Sequence, residues 1–151
     1  MQMLHESGIS MQGKHNKWKV CDDYAIRSSF KRCGKKHPRE YESCFENLDR
    51  VLEYLDNGFK WLSFQFNYLR TEGGGVFRIG QTGVPHAQET RLYIYCLETE
   101  ATIYLLSMGD KDSQQEDIKN AKDLVERIER ERAAEGATDE NKPQESGQTG
   151  G

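Results

Sequence analysis

Two extended runs, "TRLYIYC" at 90–96 and "ATIYLLSM" at 101–108, stand a few residues apart, and this pairing narrows the possible folds more than any other feature of the chain. Sequential strands with so short a joint pair antiparallel, with "LETE" as the turn. In the first run Leu92, Ile94 and Cys96 share one face, and Arg91, Tyr93 and Tyr95 share the other. The second run is apolar enough for a central strand. Upstream, "EGGGVFRIG" (72–80) reads as a glycine turn and a strand, with Phe77 and Ile79 on one face and Val76 and Arg78 on the other. "FKWLSFQFNYL" (59–69) sets Leu62, Phe64, Phe66 and Tyr68 at period two, which suits an extended segment pressed on the core. An antiparallel sheet of three to four strands follows.

Helical spacing dominates elsewhere. After a short first strand, Trp18 to Cys21, Asp22 or Asp23 is placed to cap a helix that carries Ile26, Phe30 and Cys33 on one side and stops at Gly34. Pro38 sits where a first helical turn tolerates it. Tyr41, Cys44, Phe45, Leu48, Val51, Leu52 and Leu55 then recur along one face until Asn57-Gly58. Past Gly109, Ser113 and Glu116 have capping-box spacing, and Ile118, Ala121, Val125 and Ile128 line a helix predicted to reach about Arg130. The expected class is α+β: a short N-terminal strand, a helical hairpin packed on one face of a twisted antiparallel sheet, and a C-terminal helix.

The chain has 151 residues. From Ala133 to Gly151 it has no aromatic and no large aliphatic side chain, so this tail is expected to be disordered. Residues 1–16 read as a flexible extension, leaving 17–132 as the domain. No apolar run is long enough for a membrane span, and the N-terminus lacks a signal peptide's apolar stretch, so the expected location is cytoplasmic. Cys21, Cys33, Cys44 and Cys96 are then reduced, and their spacing fits no zinc template. No cofactor or metal is expected. "GGG" at 73–75 lacks the Gly-Lys-Ser/Thr of a P-loop, and His37 and His86 have no nucleophile signature beside them. The net charge is −4, yet residues 14–39 hold nine lysines and arginines against two aspartates. Such a stretch suits a polyanion partner or a solvated helix face.

If the helices cover one sheet face, the other is the functional candidate. Period two places Arg78, Arg91, Tyr93 and Tyr95 on it, with Lys111 just past the last strand. Cations beside tyrosines suit a phosphate backbone and stacked bases.

In "SSFKRCGKK" (28–36), "GGGVFRIG", "QETRLYIY" and "IYLLSMGDKDSQQEDIKNAKDL", the chain resembles the RelE/ParE superfamily of type II toxin–antitoxin toxins, in its addiction-module killer branch. The resemblance implies two helices on a twisted antiparallel sheet, a final helix, and an antitoxin that covers the toxin. It implies a ribosome-dependent endoribonuclease that arrests translation by cutting mRNA, a 2′-hydroxyl attacking the neighbouring phosphate while cations stabilise the charge. The alternatives are a non-enzymatic inhibitor of DNA gyrase and a member that only binds a partner protein. Carried over, Arg78, Arg91 and Lys111 hold phosphate, and Lys31, Arg32, Lys35, Lys36 and Tyr95 bind RNA. Gly80 stands where ribonuclease members often have a second cation, and Asp117 near the place of their tyrosine. Tyr93 or Tyr95 is the substitute base, Tyr93 being assigned to the catalytic set.

Overall fold

A computed structural model of the chain describes residues 17–150, with side chains as far as Gly136. The expected extension, 1–16, lies outside the described residues, as do the tail's side chains beyond Gly136. The elements are β1 (Lys19–Cys21), α1 (Arg27–Lys36), α2 (Pro38–Asp56), β2 (Leu69–Gly73), β3 (Val76–Gly80), β4 (Thr90–Leu97), a 3₁₀ turn (Glu98–Glu100), β5 (Thr102–Asp110) and α3 (Gln114–Gly150). Among the described residues, no helix is long and apolar enough to cross a membrane.

The class is α+β, and the sheet has five strands in the order β1-β5-β4-β3-β2. β2 to β5 form the antiparallel meander, while β1 lies parallel to β5, so the sheet is mixed rather than wholly antiparallel. β1 is only three residues long and leaves most of β5's outer edge unpaired. The approach to α1 takes over that edge: Ile26 N donates to Leu106 O at 2.8 Å, and Met108 N donates to Ser29 Oγ at 3.0 Å. These bonds satisfy strand groups that burial would otherwise orphan. A bulge lets them form. Tyr93 pairs with Ser107 and Ile94 with Leu105, so Leu106 is the extra residue on β5.

The core has two halves. On one face α1 and α2 bring Phe30, Cys33, Phe45, Leu48, Val51 and Leu52 against Ile79, Leu92, Ile94, Ile103 and Leu105. On the other, α3 lays Ala121, Val125 and Ile128 over Val76, Tyr93, Tyr95, Tyr104 and Leu106. Helices therefore cover both faces, where the sequence suggested one. β5 carries the reason: its apolar residues do not alternate with polar ones, and a strand apolar on both sides is buried on both sides. Arg132 straps α3 down, its Nε donating to Glu100 Oε2 at 2.8 Å.

Three local expectations change. α1 runs through Gly34 to Lys36 and begins after Ile26 without a side-chain cap from Asp22 or Asp23. The stretch 59–68 is turns and irregular backbone rather than strand, and β2 lies beyond it. At the start of α3, Asp110 does what the capping box was expected to do. Its Oδ1 accepts from Asp112 N at 3.0 Å and Ser113 N at 3.3 Å, while the Ser113 hydroxyl donates to Asp117 Oδ2 at 2.5 Å. Gly109 is required at that corner, because a Cβ there would stand 1.7 Å from Asp117 Oδ2.

Candidate functional site

The antiparallel registers Arg70–Arg78 and Gly80–Arg91 set three arginines side by side across β2, β3 and β4. They share the sheet face that α3 covers elsewhere, and they line a pocket of about 280 Å³ together with Asn67, Tyr68, Gly80 and Glu89. Gly80 is open on that side: a Cβ there would have no neighbour nearer than 4.0 Å. The strand position that lacks a cation is thus the one that leaves the pocket its room.

Two of the arginines have carboxylate partners. Arg78 Nε lies 3.1 Å from Glu72 Oε2, and Arg91 Nη2 lies 2.6 Å from Glu89 Oε1. That bond holds the Glu89 carboxyl below its ordinary range, helped by the charges of Arg78 and Lys111. Arg91 is buried, only 6% exposed, yet its Nη1 has no hydrogen-bond partner. The Tyr68 hydroxyl is buried and unpartnered as well. Burial raises its pKa against the pull of Arg50, so it keeps its proton and acts as a donor. An orphaned donor inside a protein costs on the order of 1–3 kcal/mol; the Tyr68 side chain packs against the α1–α2 half of the core, so the chemistry of the pocket rests on its arginines and Glu89.

Tyr93 is not in this pocket. It is fully buried beneath α3, its hydroxyl lies beside the Arg91 guanidinium without a hydrogen bond of ordinary geometry, and burial pushes its pKa up to about 12 against the pull of Arg91. A phenol so placed holds its proton and meets no substrate, which removes it as the general base. Tyr95 is 9% exposed, stacks on Tyr104 at 6.0 Å and donates to Glu129 Oε2 at 3.2 Å. Burial and then the Glu129 charge push it to about 12. It is a core residue of α3's packing, not a stacking surface for RNA.

The basic residues of α1 lie elsewhere. Arg32 and Lys36 line a second cavity, of about 530 Å³, between α1 and the start of α3. It also holds Asp110, Asp112, Glu116 and Asp117, so its cations are outnumbered by carboxylates. Lys36 Nζ is 3.7 Å from Asp110 Oδ2, and His37 Nε2 is 3.4 Å from the same oxygen. Burial raises the Asp110 carboxyl, but the His37 bond and the Ser113 and Asp112 amides outweigh it and hold the group low. Asp117 goes the other way, raised by burial despite the Ser113 hydroxyl. Lys31 and Lys35 are exposed on α1 and line neither cavity. Lys111 is exposed on the turn after β5, outside both linings, with its charge reaching Glu89.

Arg70, Tyr68 and Glu89 were not singled out from sequence. The signal was present in "LRTEG", where Arg70 and Glu72 have strand spacing opposite Arg78, but the strand was placed too early for it to register. Among the described residues no cluster of three or more His, Cys, Asp or Glu side chains is placed to hold a metal ion. Comparisons with models of protein families, with curated proteins and with solved structures find no match to this chain.

Proposed function

We propose that the protein is the toxin of a type II toxin–antitoxin pair and cleaves RNA at the pocket of Arg70, Arg78 and Arg91. The observation that carries this reading is the set of three arginines, Arg70, Arg78 and Arg91, that line one pocket with Glu89 beside them. The Glu89 carboxylate holds the Arg91 guanidinium in place, and a fixed cluster of cations suits the oxygens of a phosphate. The order strand, two helices, antiparallel meander and helix supports the same reading.

The chemistry follows from the groups on the wall. The 2′-hydroxyl of the substrate attacks the adjacent phosphorus and passes its proton to Glu89, the carboxylate at the pocket rim. Arg91 and Arg78 take up the charge that grows on the non-bridging oxygens. The bond from phosphorus to the 5′-oxygen breaks, and the departing oxygen takes a proton from water in the open pocket. The products are a 2′,3′-cyclic phosphate and a 5′-hydroxyl. Arg91 restrains the basicity of Glu89, so most of the acceleration comes from charge stabilisation and positioning. The partners are the ribosome with its mRNA and an antitoxin that covers the pocket face.

Induced expression in a bacterial host, with growth followed and mRNA 5′ ends mapped, tests the proposal. Wild type is expected to arrest growth and create new ends; Arg78→Ala and Arg91→Ala, checked for an intact fold by melting, lose both effects. Co-expression of the antitoxin relieves the arrest. Arrest without new ends rejects the nuclease and moves the target to DNA gyrase.

A further inference from the structure

The cavity of about 530 Å³ between α1 and the start of α3 shares no lining residue with the arginine pocket. Ser107, on β5, stands on its wall. The register with Tyr93 sets the Ser107 side chain on the sheet face that α3 covers. Ser107 is only 1% exposed, and its Oγ has no hydrogen-bond partner. Two neighbouring serines of the cavity are engaged: Ser29 Oγ donates to Ile26 O at 2.6 Å and accepts from Met108 N, and Ser113 Oγ donates to Asp117. A buried hydroxyl without a partner is destabilising, and on a cavity wall it gives a polar ligand something to meet.

Charge decides what kind of ligand. Asp110, Asp112, Glu116 and Asp117 share the lining with Arg32 and Lys36, so carboxylates are in excess by two. Lys36 Nζ stands 3.7 Å from Asp110 Oδ2, which leaves Asp112, Glu116 and Asp117 with Arg32 alone. Asp117 is only 7% exposed. Burial raises its carboxyl, and the charges of Asp110 and Glu116 add to that, against the Ser113 hydroxyl and Arg32. It stays raised even in the first turn of α3, where the helix dipole favours a carboxylate, so the site is short of positive charge. Among the described residues no carboxylates are grouped to hold a metal ion, and the charge that fits is an organic cation.

We propose that this cavity binds a guanidinium-bearing ligand, with the cation against Asp117 and Glu116 and one N–H donated to Ser107 Oγ. A guanidinium offers five donors in one plane, enough for a carboxylate and a hydroxyl together, and it sheds water more readily than an ammonium group. The volume is that of a small-molecule site rather than of a lone ion.

Isothermal titration of the full chain with butylguanidine, and with butylurea as the uncharged molecule of the same shape, tests this. Wild type is expected to prefer butylguanidine by about tenfold or more, the worth of one hydrogen bond to a charged group. Ser107→Ala weakens butylguanidine by about three- to tenfold without lowering the melting temperature, because the hydroxyl it removes has no partner. Asp117→Asn keeps an acceptor for Ser113, and Glu116→Gln changes an exposed side chain; both remove most of the preference over butylurea. A third ligand, the peptide acetyl-Gly-Arg-Gly-amide, separates two sources of the same group. Tighter binding of the peptide names an arginine side chain of a partner chain, tighter binding of butylguanidine names a free small molecule, and either upholds the site. Equal binding of butylguanidine and butylurea by wild type overturns the proposal, as does no binding of any of the three. Wild-type affinity for butylguanidine in both Ser107→Ala and Glu116→Gln places the cation elsewhere and overturns it as well.

Discussion

Replacing Tyr93 by phenylalanine removes one oxygen from the middle of the protein, and the structure fixes the direction of the result. The hydroxyl is fully buried between α3 and the sheet, and although the Arg91 guanidinium stands beside it, it makes no hydrogen bond of ordinary geometry. Burial of a hydroxyl without compensation costs on the order of 1–3 kcal/mol. Its removal returns part of that and leaves a gap smaller than a methyl group, which forfeits a few dispersion contacts. The net expectation is a gain of about 0.5–1.5 kcal/mol, or a melting temperature raised by roughly 2–6 °C for a domain of this size. Tyr95→Phe, on the same face two residues on, is the control with the opposite sign. Tyr95 donates to the Glu129 carboxylate, so its loss costs about 0.5–1.5 kcal/mol and lowers the melting temperature. Both variants are followed by circular dichroism on heating and by growth after induction, and Tyr93→Phe keeps full growth arrest. A Tyr93→Phe protein that melts lower than wild type, or that has lost arrest with its fold intact, would refute the burial argument and restore Tyr93 to the catalytic set.

Other expectations follow from the same contacts. Gly109→Ala forces a Cβ into the Asp117 carboxylate and the Ser113 hydroxyl, so the start of α3 must shift; a loss of about 2–4 kcal/mol is expected in urea denaturation, and a loss under 1 would show that the corner relaxes freely. Ile128→Ala opens a cavity between α3 and the sheet, where Ile128 is fully buried, at a cost of about 2–5 kcal/mol by the same assay. Tyr93, Tyr95 and Tyr104 are each pushed to about 12 in the folded chain, so they release protons near the ordinary 10 only on unfolding. Stability is therefore complete below about pH 10 and falls between about 10 and 12, at up to about 1.4 kcal/mol per pH unit for each group. A flat stability profile across that window would contradict their burial.

Much of the fold was legible because its strongest elements obey one period each. Helix α2 repeats apolar residues from Tyr41 to Leu55, and β4 alternates Leu92 and Ile94 against Tyr93 and Tyr95, so type and facing followed directly. What alternation cannot say is whether the second face is open. Tyr93 and Tyr95 look amphipathic in sequence, and their cover comes from α3, whose packing depends on the corner at Gly109 and the bulge at Leu106. The parallel placement of β1 is also non-local, set by where α1 docks on the edge of β5. At the site, Arg78 and Arg91 were legible because strand spacing put both on one face. Arg70 and Tyr68 were not, because the aromatic run 59–68 has the period of a strand yet folds as turns and irregular backbone, which displaces the true β2. The surroundings of α1's basic cluster were not legible for another reason: sequence charge does not reveal that Asp110, Asp112, Glu116 and Asp117 are brought beside Arg32 and Lys36.

The central claim is that the arginine pocket holds the phosphates of a single strand, and the salt dependence of binding tests it most directly. Affinity for a single-stranded oligoribonucleotide is measured across ionic strength for wild type, Arg91→Gln and Arg70→Gln, the last being an exposed residue on the edge strand β2 whose change leaves the fold intact. Each phosphate neutralised adds about 0.7 to the slope of log affinity against log salt for a single strand. Both variants are expected to bind more weakly with a slope reduced by about that amount. Wild-type slope and wild-type affinity in both variants would place the phosphate elsewhere and contradict the account.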